Sequence, residues 1–244
     1  VMAAGESVAL PQTLTNRVGI PLSSKVRLEI APSSIAATVD NGGVITTEGG
    51  QVLMQASSVV DAVSRVANAS VSNTGQIVSQ GGQVYMQALA LNRAAAQVIQ
   101  SGSIDTSGQQ GGAVHLLADG GTIKVDGSIT ANSSGTDDKG QQRKGGDIVI
   151  GRDVETGVLA KVADVSGAKL ESNKGFVETS GDVLFTTGTR VKAGEWLLDP
   201  YNITISTGAD ASTTNSSNTF TASSSGGVIN VGTLKSALST NTVT

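Results

Sequence analysis

Gly49-Gly50-Gln51-Val52-Leu53-Met54-Gln55-Ala56 returns almost letter for letter as Gly81-Gly82-Gln83-Val84-Tyr85-Met86-Gln87-Ala88. It returns more loosely as Gly111-Gly112-Ala113-Val114-His115-Leu116-Leu117-Ala118 and as Gly145-Gly146-Asp147-Ile148-Val149-Ile150-Gly151. The leading glycines are separated by 32, 30 and 34 residues. A near-constant period in this range marks a stacked repeat, in which each unit buries its apolar face only against the next. The chain therefore reads as a rod whose corners are Gly50, Gly82, Gly112 and Gly146.

Composition agrees. With 31 glycines, 38% hydrophobic residues and 2% aromatics in 244 residues, the chain lacks the bulk to fill a thick core. It can fill an interior one or two side chains across, where Val, Ile, Ala and Leu stack well. Short alternating runs precede each corner: Val44-Ile45-Thr46-Thr47, Gln76-Ile77-Val78-Ser79, Ser103-Ile104-Asp105-Thr106 and Ser128-Ile129-Thr130. Each begins just after a glycine, where a positive φ is expected to turn the backbone. The unit reads as a strand, a glycine corner, a second strand and a return segment. Two-residue hairpin turns of the Asn-Gly or Asp-Gly type are few, so the strands fit the coils of a β-helix better than hairpins. The expectation is all-β coils over residues 1–205, roughly ten of them at about 20 to 25 residues each, rising about 4.8 Å per coil.

Three stretches break the pattern, near 57–67, 89–98 and 136–144. The first two follow corner strands at the same phase. Their Ala content, with a Ser N-cap in the first, points to a helical turn, and their Val content points to strand. The third, Thr136-Asp137-Asp138-Lys139-Gly140-Gln141-Gln142-Arg143-Lys144, is a polar loop expected to project. Near Pro200, which cannot donate to a ladder, a boundary is expected. Residues 206–244 read as a Ser/Thr-rich segment leading to the next patterned section at Val228-Ile229-Asn230-Val231.

Several functional classes are disfavoured. Absence of cysteine excludes disulfides, thiolate metal sites and a Cys nucleophile. A net charge of −4 with scattered Lys and Arg lacks the basic footprint of nucleic-acid binding. No run approaches the roughly 18 apolar residues of a membrane span, and the opening residues lack the regions of a signal peptide. Both ends stop in mid-pattern, and the chain is read as an excerpt of a longer polypeptide.

The residues resemble a known family, the exoproteins of two-partner secretion: filamentous-haemagglutinin-like adhesins, and especially their high-molecular-weight adhesin and haem/haemopexin-binding branch. The resemblance is carried by Asn73-Thr74-Gly75-Gln76-Ile77, the Gly-Gly-x-Val corners, Gly175-Phe176-Val177-Glu178-Thr179-Ser180-Gly181, and Glu195-Trp196-Leu197-Leu198-Asp199-Pro200-Tyr201-Asn202-Ile203-Thr204-Ile205. It implies a right-handed parallel β-helix, part of a longer fibre, exported through an outer-membrane two-partner secretion transporter and held at the surface of a Gram-negative bacterium or shed. An upstream secretion domain would be what the transporter recognises.

This scaffold is shared by adhesins, biofilm-matrix proteins, haem-binding proteins and stalks of contact-dependent growth-inhibition toxins, so the ligand does not follow from it. The leading expectation is a rigid stalk and binding segment for a host or bacterial glycan or protein receptor, its repetition providing avidity. The alternatives are a haem/haemopexin-binding exoprotein or a toxin stalk. A polysaccharide lyase or hydrolase would need converging carboxylates, for which Asp137, Asp138 with Lys139, or Asp153, Glu155 and Asp164 are the candidates. A solvated loop accounts for the first set, and aromatic subsites are scarce. No catalytic, cofactor or metal residue is expected. The lone His115 reads as packing or surface, and Trp196 as a plug near the boundary. Four Asn-x-Ser/Thr sequons, at Asn68, Asn132, Asn202 and Asn215, are candidate glycosylation sites, with Asn132 and Asn215 expected to be the best exposed.

Overall fold

The computed structural model describes residues 2–4, 7–9, 29–31, 36–59, 68–91, 95–153, 157–200, 203–211, 213–216, 219–222, 227–232 and 235. Among them the chain is all-β, and its principal sheets are parallel. One row of strands joins β4 (Ala37–Asn41), β7 (Asn68–Asn73), β10 (Ala95–Gln100), β13 (Thr122–Val125), β16 (Val162–Asp164) and β18 (Val183–Phe185). A second joins β5 (Val44–Glu48), β8 (Gln76–Gln80), β11 (Ser103–Asp105), β14 (Ser128–Thr130) and the first part of β17 (Lys169–Gly181). A third joins β1 (Met2–Ala4), β6 (Gln51–Val59), β9 (Gln83–Leu91), β12 (Ala113–Ala118), β15 (Asp147–Ile150) and the last part of β17. β19 (Arg190–Pro200) pairs with β17 in both parts. Because β17 and β19 run through the corner, the second and third rows form one 11-stranded sheet.

From β4 to β14, each strand pairs with the one three places on. The first row repeats its register after 32, 27, 25, 40 and 21 residues. This corrects two expectations. Three strands, β6, β7 and β8, lie between Gly49 and Gly81, so the 32-residue spacing is one whole repeat, longer than the coil length expected from the sequence. The return segment holds the first row's strands, and the rows contain six or seven strands where about ten coils were expected. Of the break near 57–67, Ser57–Val59 end β6, and residues 60–67 lie outside the described residues. Of that near 89–98, Leu89–Leu91 end β9 and Ala95–Val98 open β10, with residues 92–94 outside the description.

Like side chains stack on like. Val39, Val71, Val98 and Ile123 form one buried column. Ile45, Ile77, Ile104, Ile129 and Leu170 form another, and Val52, Val84, Val114, Ile148 and Val177 a third. All but the half-buried Ile45 are buried, and each fully buried branched side chain contributes about 1.5–3 kcal/mol of transfer free energy. One column is polar. Asn41 Nδ2 donates to Asn73 Oδ1 at 2.7 Å, and Asn73 Nδ2 donates to Gln100 Oε1 at 2.7 Å. It stops at Val125, the register partner of Gln100, and Gln100 Nε2 is buried with no partner.

The corner glycines are required mainly by close approach. A Cβ on Gly82 would lie 2.1 Å from Gly50 O, one on Gly112 2.1 Å from Gly82 O, and one on Gly146 1.6 Å from Gly112 O. Gly43, Gly75, Gly102 and Gly127, expected to turn through positive φ, do not; Gly75 and Gly102 sit 2.0 Å, at the Cβ position, from the carbonyl oxygen beneath. Positive φ falls instead on Gly49 and Gly81, one residue before the expected corners.

The remaining pairs form separate two-stranded sheets. β2 (Ser7–Ala9) and β3 (Glu29–Ala31) are antiparallel. Beyond Pro200, β20 (Ile203–Ser206) pairs in parallel with β23 (Gly227–Asn230), and β21 (Thr213–Ser216) pairs with β22 (Thr219–Ala222) in antiparallel. Among the described residues, no helix is long and apolar enough to cross a membrane.

Candidate functional site

The longest insertion in the rows, residues 131–146, falls between β14 and β15, and it builds the candidate site. Residues 136–144 are all exposed. Thr136 bridges Gln142 in antiparallel, Asp137 N donates to Gln141 O at 2.8 Å, and Gly140 (φ 74) closes the turn by donating to Asp137 O at 2.9 Å. Gly suits that left-handed position without steric cost. The Asp137 carboxylate is turned inward on the loop, its Oδ1 accepting Lys139 N at 2.9 Å and Gln141 N at 2.8 Å. This is the side-chain capping expected of Asp in a turn.

Across from the loop, β17 bulges. Its register with β19 slips between Ser172 and Phe176, and Lys174 adopts φ 56. It is the sole non-glycine residue at positive φ among the described residues. Left-handed backbone at such a side chain costs about 1–2 kcal/mol and persists only where its surroundings fix it. Here Asn173 does the fixing. Its Oδ1 accepts Ser133 N at 2.7 Å, its Nδ2 donates to Ser133 O at 2.8 Å, and its backbone N donates to Asn132 Oδ1 at 2.7 Å. Gly145 N donates to Asn173 O at 2.6 Å, so the bulge is tied to both ends of the loop.

Between loop and bulge lies an open groove of about 560 Å³, lined by Gln110, Gly111, Asp137, Gln141, Gln142, Arg143, Lys144 and Lys174. Arg143 is oriented by its Nε, which donates to Thr136 O at 2.8 Å. Three cations and three amides thus share one concavity with a single carboxylate already committed to backbone. On β17, Glu171 is held below the usual carboxylate range by Lys192, 2.7 Å away, and by a hydrogen bond from Asn132.

The residues singled out in the sequence are distributed elsewhere. Asp138 and Lys139 are exposed on the loop; Asp164 Oδ1 accepts Ser166 N at 3.0 Å on β16; Glu155 lies outside the described residues. Burial, and then Asp153 nearby, push the Asp119 carboxyl up. Among the described residues, no three His, Asp or Glu side chains converge. His115 stacks on Tyr85 with ring centroids 4.9 Å apart and planes 7° from parallel. Asn132, expected exposed, is half-buried, because its oxygen is taken by Asn173 N. Asn68 is exposed at the start of β7, Asn215 lies in β21, and Asn202 is outside the described residues.

The motif residues gather where β15, β17 and β19 meet. A Cβ on Gly175 would strike Ser172 Oγ at 2.0 Å, and Phe176 sits between Asp147 and Glu195 in register. Trp196 caps the valine column, packing on the core and donating from Nε1 to Thr179 Oγ1 at 3.1 Å. Glu178 is buried beside Ser180, whose hydroxyl donates to Oε1 at 2.7 Å. Arg152 lies 3.4 Å from Glu178 and 3.9 Å from Asp199, so the buried carboxylate is paired; Pro200 ends β19 opposite Gly181.

Sequence reasoning found the loop but missed Lys174. Asn173-Lys174-Gly175 carries turn-forming letters inside a strand pattern, and that was the available signal. No family model, curated protein or solved structure matches the chain.

Proposed function

We propose that the chain is a rigid stalk and binding segment of a large secreted surface adhesin of a Gram-negative bacterium, exported by two-partner secretion. In this reading the parallel rows are successive turns of a right-handed β-helix that continues as a solenoid, the hand being that of nearly all parallel crossovers. The observation that carries it is the uniform parallel register: Ile stacks on Ile and Val on Val from repeat to repeat, a packing that lengthens by adding copies without a new core. The sequence motifs at Gly175–Gly181 and Glu195–Pro200 support assignment to that class of exoprotein. A stiff array presents the same outward surface at intervals, and multivalency turns weak contacts into attachment.

The test is attachment. Beads densely coated with the purified chain should adhere to host epithelial cells or to bacterial biofilm matrix more than beads coated with an unrelated β-rich protein, and soluble chain should compete. Equal adhesion of both bead types to every surface would remove the reading.

A further inference from the structure

We infer that the groove between the 136–144 loop and the β17 bulge is a binding site for an anionic saccharide, one whose oxyanion is a uronate carboxylate or a sulfate ester. The inference deepens the reading of the chain as a binding segment and rests on it. Four observations lead to it.

Charge comes first. The chain as a whole carries −4, yet this concavity gathers Arg143, Lys144 and Lys174 against one acid. That acid is Asp137, whose Oδ1 already accepts two backbone N–H groups. No salt bridge joins the three cations to a carboxylate among the described residues. Elsewhere in the rows the chain does neutralise its charges locally, as Lys124 does with Asp126 and Lys192 with Glu171.

Geometry comes second. The Arg143 guanidinium is steadied by its Nε bond to Thr136 O, which leaves its two terminal nitrogens as a fork for an oxyanion. Lys174 is held at φ 56 by a bulge that Asn173 ties to both loop ends, which fixes the backbone of this lining residue.

The lining comes third. Gln110, Gln141 and Gln142 offer amide donors and acceptors, the pairing that sugar hydroxyls use. Gln142 Nε2 is partly engaged, donating to Ser133 O at 3.2 Å. Size comes last: about 560 Å³ lies within the range of small-ligand sites. Among the described residues no aromatic side chain lines the groove, so the binding argued here rests on charge and hydrogen bonds. It is therefore sensitive to salt.

The experiment is a titration of the purified chain with oligosaccharides of matched length: a polyuronate, a sulfated uronate-free galactan and a neutral glucan. Binding is expected for one or both oxyanion-bearing oligomers, and which of them binds identifies the oxyanion. The neutral glucan should not bind, and affinity should fall roughly fivefold or more between 50 and 200 mM salt. Lys144→Gln and Lys174→Gly should each weaken binding about fivefold, the scale of one solvent-exposed ion pair. Lys174→Gly relieves the left-handed strain, so its melting temperature should hold or rise, which separates lost binding from lost fold. Lys139→Gln, on the loop but outside the groove, should bind as the unaltered chain does. Binding of the neutral glucan with equal affinity, no binding of either anionic oligomer at 50 mM salt, or equal losses for Lys139→Gln and Lys144→Gln would overturn the site. The titration involves no cells. Its failure would remove the groove while leaving bead attachment standing, and failed attachment with intact titration would remove the attachment reading alone.

Discussion

At Gly82 a hydrogen stands where any other residue would place a methyl group 2.1 Å from the Gly50 carbonyl. That oxygen also accepts Gln83 N at 3.0 Å, so it cannot withdraw without breaking the ladder. Gly50 differs, because a Cβ there would meet only Thr47, at 3.5 Å. Gly82→Ala should therefore cost about 1–3 kcal/mol in urea unfolding, as overpacking against backbone does, while Gly50→Ala stays within about 0.5 kcal/mol. Equal costs would mean that the glycine pairs are turn formers and not contact points. A second residue-scale expectation concerns Asp119, whose carboxyl is pushed up by burial and by Asp153. A carboxyl raised in the folded state binds protons there more readily than in the unfolded chain. It therefore lowers stability as pH rises through the interval between its unfolded and its raised folded value. Asp119→Asn should melt higher than the unaltered chain at neutral pH, with the gap closing below the ordinary carboxylate range. A gap that persists unchanged at acid pH would assign the effect to packing.

At the scale of the strand, the buried columns decide which substitutions are tolerated. Val98 stands between Val71 and Ile123, where a hydroxyl finds no side-chain partner. Val125 lies in register with Gln100, whose Nε2 is buried and unpartnered. Val98→Thr should cost about 1–3 kcal/mol, the price of an unpaired buried hydroxyl, and Val125→Thr distinctly less, because its oxygen can accept from Gln100. Urea denaturation of the two variants reads the difference directly. The same columns explain what was legible beforehand. β6 and β9 were readable because Gln51–Ala56 and Gln83–Ala88 repeat large apolar residues on alternate positions after a glycine pair. β7, Asn-Ala-Ser-Val-Ser-Asn, has one large apolar residue in six, so its alternation of buried and half-buried positions leaves almost no mark on the sequence. The loop end of the candidate site was readable from its polarity. Lys174 was not, since its position comes from the slip between β17 and β19, a property of two strands together.

For the whole molecule, the proposed coil requires the three rows of parallel strands to rise together, one strand spacing per turn. The chain contains no cysteine, so pairs of introduced cysteines can carry spin labels without background. Val44, Gln76 and Arg190 share one column, and each is exposed. At about 4.8 Å per step, the pair at Gln76→Cys and Arg190→Cys should lie roughly 19 Å apart along the stack. The pair at Val44→Cys and Arg190→Cys, one step longer, should lie roughly 24 Å apart. Pulsed electron paramagnetic resonance on the two doubly labelled chains is the most direct measurement. The coil predicts two narrow distributions that differ by about one strand spacing, the Val44 pair being the longer. Coincident distances, or a shorter distance for the Val44 pair, would contradict it.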